Sequence, residues 1–468
     1  MQHKLSNNAR NLLSVLGANF FVMFVGIIQS FLFPKLMGPN QYGYWSMYLL
    51  YIGYAGFFNL GVSDGIYLLF GGENYNDLEK GKFKAYFNII LFYLSVFLII
   101  WVLYCFFSQQ VTQQLLIMLA IGLSSFLACL INYVVMIDQA TSRFNIYSKG
   151  HIIEKIAIMA GTIILIKLRN PLVVIMASII GRMITVFYYY ANSKPILYAK
   201  HSPYKEALKD MATFFSAGIW MTLAAIGTTA MTGIGRFFIH YQLGVTELGY
   251  FSFVLSISGL FTIFFSAIAT VLFPMLKRST GEAYRKQMII LDNLLDWVGI
   301  LILLLYFPAK SMLSILYPQY ESALKILVVL FPLVLLQGRT SMVYYTIYKV
   351  ERLERQYVYN LIIALLVCVI FSMSSLMVVK DITSVAVATY GAFVVWCIVI
   401  VALYNKNSDI KLKYHFGNLL LSVIFLTINL VGLPNGLDVI VTYCVYIPIA
   451  IYSTIKAIPD IKHLRYYL

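Results

Sequence analysis

This chain is constrained above all by a succession of apolar runs separated by short polar segments. Each run is about as long as the roughly 20 helical residues that cross a hydrocarbon core of about 30 Å. Such a window finds fourteen candidates, near 11–33, 44–70, 85–107, 113–136, 152–167, 171–192, 211–235, 250–275, 288–308, 322–347, 357–379, 384–404, 414–433 and 436–456. Spanning segments of this length are helices, because lipid offers the backbone no hydrogen-bond partners. The fold class is therefore an all-α polytopic membrane protein of about 14 transmembrane helices. The fifth run is short, and the RNP tripeptide at 169–171 divides it from the sixth. Pro34, Pro308, Pro318 and Pro434 mark span edges, whereas Pro332 and Pro448 fall inside spans and predict kinks.

Composition agrees. Hydrophobic residues make up 61% and charged residues 11% of the 468 positions, against about 45–50% and about 25% in soluble domains. A net charge of +15 would ordinarily suggest nucleic acid. Here the basic residues sit between apolar runs with no basic stripe or stacking platform, so no nucleic-acid partner is expected. With the amino terminus inside, cytoplasmic segments hold 24 Lys and Arg against 6 outside, which places both termini in the cytoplasm. The first run has no small-residue cleavage site and reads as a retained span. All five cysteines lie in apolar runs without a CxxC pair, and the six histidines form no HExxH, so no metal site is expected. Most of the 36 tyrosines cluster near span ends as interfacial belts.

An internal repeat organises the spans. GPNQYGYWS (38–46) follows the first span and GVTELGYFS (244–252) the seventh. A shift of 206 residues aligns Gly38 with Gly244, Gly43 with Gly249, Tyr44 with Tyr250 and Ser46 with Ser252. Two parallel six-helix repeats follow, in residues 1–200 and 201–410, with two additional helices and a tail in 411–468. Parallel repeats place a site between them near the midplane.

At these residues the chain resembles the multidrug/oligosaccharidyl-lipid/polysaccharide export superfamily, in particular its bacterial polysaccharide flippase (Wzx-type) branch. The resemblance rests on FLFPKLMGPNQYGYWSMYLL (31–50), NLGVSDG (59–65), SRF (142–144) and LSILYPQYESALKIL (313–327), and its layout covers essentially the whole chain. Members usually carry an acidic residue before the Leu-Gly of the second element. Here it is Asn59, so no charged role is carried to that position. The resemblance implies two lobes forming a V-shaped, alternately open cavity in the bacterial cytoplasmic membrane. It also implies an undecaprenyl-pyrophosphate-type lipid-linked oligosaccharide as cargo, glycosyltransferases and a glycan polymerase as partners, and no ATP site. The chain indeed contains no GxxxxGK[ST].

Charges within spans need a reason, since each costs about 2.5–3.5 kcal/mol even on lenient scales. Arg182 lies near the middle of the sixth span; its forked, permanent charge suits either a pyrophosphate or an interhelical ion pair. Arg339, about 12 Å deep in the tenth span, is a second cavity candidate. Arg236 closes the seventh span, where an interfacial position is the simpler reading. Asn19 and Gln29 on the first span are polar counterparts of Thr222, Thr228 and Thr232 on the seventh, and complete the substrate-binding candidates. Asp64, Asp292 and Asp296 are candidates for coupling to a Na+ or H+ gradient; no other cofactor is expected. Asp292 and Asp296 share a helix face and repel unless protonated or paired, for instance with Arg339. Glu154 and Lys155 read as interfacial, and Ala225, Thr229 and Gly233 as a small-residue packing seam.

The expected function is translocation of a lipid-linked oligosaccharide by alternating access. The alternative is a multidrug or small-molecule cation antiporter, which needs an acidic cavity, whereas the deepest charge is Arg182. A membrane enzyme needs acid, base or metal groups gathered at one face. The outer loops are short and carry no paired carboxylates.

Overall fold

The computed structural model describes residues 2–108, 112–168, 170–278, 281–407, 416–431 and 437–467. Among them every regular element is helical. The order is α1 (Gln2–Leu36), α2 (Pro39–Ile52), a 3-10 turn (Ala55–Asn59), α3 (Val62–Leu69), a second 3-10 turn (Tyr75–Asp77), α4 (Lys80–Phe107), α5 (Thr112–Ala140), α6 (Phe144–Leu168), α7 (Pro171–Asn192) and the short α8 (Lys194–Leu197). Then come α9 (Tyr204–Gln242), α10 (Val245–Arg278), α11 (Gly281–Leu304), α12 (Tyr306–Leu316), a 3-10 turn (Pro318–Ala323) and α13 (Leu324–Gly338). A π-helical turn (Arg339–Tyr344) leads to α14 (Tyr345–Val350), α15 (Glu354–Val378), α16 (Ile382–Asn407), α17 (Phe416–Val431) and α18 (Leu437–Tyr467).

Among the described residues ten helices are long and apolar enough to cross a membrane, and two shorter apolar stretches lie in α1 and α17. Adding α6 and the broken pair α2–α3 accounts for the fourteen predicted spans. The second span differs from expectation: it is no continuous helix over 44–70 but two helices joined by a 3-10 turn. Leu60 (φ 50°) and Gly61 (φ 72°) are both left-handed there, which ends one helix and lets the next start in a new direction. Pro34 falls within the last turn of α1 and Pro308 in the first turn of α12; Pro332 and Pro448 lie inside α13 and α18.

The chain divides into two compact units, Met1–Thr229 and Ala230–Leu468, with the division inside α9. Loop hydrogen bonds carry the internal repeat into the structure. Met37 N donates to Phe33 O and Tyr42 N to Gly38 O; 206 residues on, Leu243 N donates to Ile239 O and Leu248 N to Gly244 O. A second pair of turns matches at a shift of 210: Arg143 N to Asp138 O at 2.7 Å, and Leu353 N to Tyr348 O at 2.8 Å. Each is a helix C-terminus closed by a left-handed residue, Ser142 (φ 58°) or Arg352 (φ 56°).

Small residues set the packing of the first unit. A Cβ on Gly181 would stand 2.7 Å from that of Ala157, and one on Gly161 would collide with Ala177. The backbones of α6 and α7 therefore meet closely, where lipid supplies no hydrophobic drive of its own. Buried tyrosines pack across α4, α5 and α7 and give their hydroxyls to carbonyls: Tyr133 to Phe83 O (2.7 Å) and Tyr189 to Tyr147 O (2.9 Å).

Candidate functional site

Close approach of α6 and α7 positions the first charge pair. Asn170 caps α7 by accepting from Leu172 N (3.0 Å), with Pro171 pre-set at the first helical position. Arg182, eleven residues further, meets α6 beside Gly181, and its Nε donates to Glu154 Oε1 at 3.0 Å. Arg182 Nη1 also donates to the Tyr48 hydroxyl (3.3 Å), which bonds in turn to Ser124 (2.9 Å) and Ser178 (3.1 Å). Four helices, α2, α5, α6 and α7, thus share one polar network. The helix α6 begins at Phe144, eight residues before the apolar run that suggested a span. That places Glu154 nearly three turns inside the helix.

In this arrangement Arg182 is an interhelical ion pair of the first unit, one of the two roles its position allowed. Both side chains are about 85% buried, with relative exposures of 13% and 15%. Arg182→Ala strands the Glu154 carboxylate and is expected to lower the thermal midpoint of the purified protein; Arg182→Ala combined with Glu154→Gln should restore much of it. A double variant no more stable than the single one would exclude this account.

A second pair lies at the far ends of the same helices. Asp138, with 0% side-chain exposure, faces Arg143 Nη1 across 3.2 Å, a charge contact without hydrogen-bond alignment. The guanidinium stacks over the Tyr75 ring (3.8 Å) and donates to Asn192 O (2.7 Å). Lys80 Nζ lies 3.9 Å over the same ring. Burial pushes the Tyr75 phenol above its usual range. This clasp ties the ends of α5 and α7 to the 3-10 turn before α4. Sequence reasoning missed Asp138 because the apolar window closed at 136, while α5 continues to Ala140. The available signal was Asp138 and Arg143 flanking a helix end in DQATSRF.

In the second unit Arg339 opens the π-helical turn and donates to Asp296 on α11. Gly338 gives the Phe265 ring room beside it: a Cβ there would stand 2.6 Å from the ring. The helix from Pro318 to Val350 is the most buried span of the described residues, and π-turns inside such helices recur at functional sites. Asp296 is the more accessible partner, with 29% side-chain exposure against 8% for Arg339. Arg236 is half-buried near the end of α9 and donates from Nε to Thr232 O (3.2 Å).

On α1 Gln29 is half-buried with its Nε2 unpaired. The side chains of Asn19 and Asp292 lie outside the described residues. Asp64, in the first turn of α3, accepts from the Thr222 hydroxyl of α9. Beside it α3 and α9 touch backbone to backbone: a Cβ on Gly61 would stand 2.7 Å from Ile219 N, and one on Gly218 would collide with Gly61 O and Gly65 N. Thr229 packs its methyl 3.4 Å from where Gly53 would carry a Cβ, so this part of α9 uses its small residues for close contact.

This helix order defines an all-α polytopic membrane protein. The chain belongs to the family described as "Polysaccharide biosynthesis protein", whose profile matches residues 9–280. Its fold is similar to that of "Lipid II flippase MurJ, inward closed conformation", with a TM-score of 0.69 and 15% identity over 96% of this chain and 99% of that one. An inward-facing multidrug resistance MATE transporter of the MOP superfamily matches with a TM-score of 0.53 and 12% identity, over 85% of this chain and 99% of that one. A MOP superfamily transporter from Pyrococcus furiosus matches with a TM-score of 0.50 and 12% identity, over 89% of this chain and 94% of that one. No curated protein sequence matches the chain.

Proposed function

We propose that the protein is a flippase that carries a polyprenyl-pyrophosphate-linked oligosaccharide from the inner to the outer leaflet of the bacterial cytoplasmic membrane, by alternating access, for surface polysaccharide synthesis. The observation that carries this reading is the family match over 9–280, joined to a fold that follows a lipid II flippase over 96% of the chain. Both termini face the cytoplasm in this reading, and glycosyltransferases and a polymerase act before and after it.

Arg339 and Arg182 are the cationic groups that fit the cargo's pyrophosphate, because a planar fork matches phosphate geometry. Each already holds a carboxylate, so cargo binding is an exchange in which pyrophosphate displaces Asp296 or Glu154. Asp296 is the more exposed of the two acids, which favours exchange at Arg339. Arg236, Gln29 and Asn19 serve in this proposal as polar contacts to the glycan.

Deleting the gene is expected to leave the lipid-linked oligosaccharide accumulating in the inner leaflet, with surface glycan lost; an unchanged leaflet distribution sinks the proposal. Arg339→Lys should retain part of the transport that Arg339→Ala loses. The MATE likeness keeps a multidrug antiporter as the second reading. Drug sensitivity on deletion with normal surface glycan would favour it.

A further inference from the structure

Three acids on the described helices each face an arginine: Asp138 with Arg143, Glu154 with Arg182 and Asp296 with Arg339. Asp64 does not. Its recorded partner is the Thr222 hydroxyl, a neutral donor. Among the described residues no Lys or Arg forms an ion pair with it. On α5 Asp138 is itself an acid held by Arg143, Tyr133 bonds Phe83 O, and the Cys129 thiol bonds Ala55 O. The titratable groups of α9 stand away from Thr222 along the helix: Lys205, Glu206, Lys209 and Asp210, which accepts from Tyr86 at 2.6 Å, lie twelve or more residues before it, and Arg236 and His240 fourteen or more after it. A carboxylate held within a membrane without a basic partner takes up a cation or gives up its charge.

The surroundings of Asp64 add an independent observation. Asn59 and Ser63 flank the two left-handed residues of the break and are 3% and 1% exposed. Both amide atoms of Asn59 and the Ser63 hydroxyl lack hydrogen-bond partners. Buried polar atoms left unpaired in this way mark the place of a water or an ion. A cation retaining one water answers both halves of the Asn59 amide: the oxygen turns to the ion, and the N–H to the water. The second repeat lacks the whole set. At the same shift of 206, Asn59, Gly61, Ser63 and Asp64 become Phe265, Ala267, Ala269 and Thr270, and α10 runs through unbroken. The break and its polar residues therefore belong to one copy alone, as a specialisation rather than a requirement of the fold.

We propose that the break in the second span is a monovalent-cation site, in which H+ or Na+ neutralises the Asp64 carboxylate beside Asn59 and Ser63. Occupancy weakens the charged acceptor that holds Thr222, and so loosens α3 from α9 where Gly218 rests on Gly61 and Gly65. This deepens the transport reading by naming the residue through which an ion gradient acts, while cation binding itself can be measured without transport.

The test is thermal unfolding of the purified full-length protein in detergent, in sodium, potassium or choline chloride at equal ionic strength, each across an acidic to mildly alkaline range. A Na+ site predicts a midpoint raised by sodium over potassium and choline. A proton site predicts instead a pH dependence that is the same in all three salts. In either case Asp64→Asn should abolish the response, and Ser63→Ala should weaken a sodium response while leaving a proton response intact. Should Asp64→Asn fail to fold, Asn59→Leu and Thr222→Val take its place, with a diminished response expected in both. A wild-type midpoint indifferent to both ions overturns the proposal, as does an undiminished response in the variants. Failure of the flippase reading is seen separately, in the leaflet distribution of the lipid-linked glycan after deletion.

Discussion

Arg143→Ala will unfold at a markedly lower temperature than the native chain, with a loss of about 3–5 kcal/mol, the usual cost of breaking a buried ion pair by removing one partner. The Asp138 side chain has 0% exposure, and the arginine is the cation facing it. The same substitution removes the donor to Asn192 O and the guanidinium stacked on Tyr75, so the ends of α5 and α7 lose their shared anchor. Asp138→Asn added to Arg143→Ala should recover much of the loss, since no buried charge is then stranded. The measurement is the thermal midpoint of each purified variant together with its abundance in the membrane. A single variant as stable as the native chain, or a double variant worse than the single, would contradict this role.

Gly218→Val is expected to be as severe for a different reason. The added carbons meet Gly61 O and Gly65 N, which are backbone atoms and cannot rotate aside as a side-chain end could. Overpacking commonly costs about 1–3 kcal/mol where side chains can adjust, and this contact should exceed that range. Either α3 leaves α9 and the Asp64–Thr222 hydrogen bond breaks, or α9 bends. Gly26→Ala is the control, because nothing lies within 4 Å of a Cβ built there. Transport and unfolding midpoint should both fall for the valine variant and stay near native for the control. Normal transport by the valine variant would remove the α3–α9 contact from the working parts of the protein.

Much of this architecture was legible from residue order because lipid leaves so few options. A run of apolar residues too long for a soluble core has to span as a helix. The repeat was equally readable at Gly38 and Gly244, and matching hydrogen bonds close both turns, although only Gly244 (φ 102°) needs glycine's conformational freedom. Fine boundaries were harder to read. Asp138 lay just past the end of its apolar window, and α6 began eight residues before its own, because helices continue through polar residues once a partner satisfies them.

The sequence by itself therefore determined the class of protein, the number of its spans, the duplication and the short set of residues that carry charge into the membrane. Only the tertiary structure decided what those charges do. Arg182 found Glu154, Arg339 found Asp296, and Asp64 found no cation, through contacts between helices 28, 43 and 158 residues apart in the chain. Hydrophobic periodicity reports burial along one helix, whereas the partner of a buried charge depends on which backbones small residues such as Gly181 and Gly218 allow to touch.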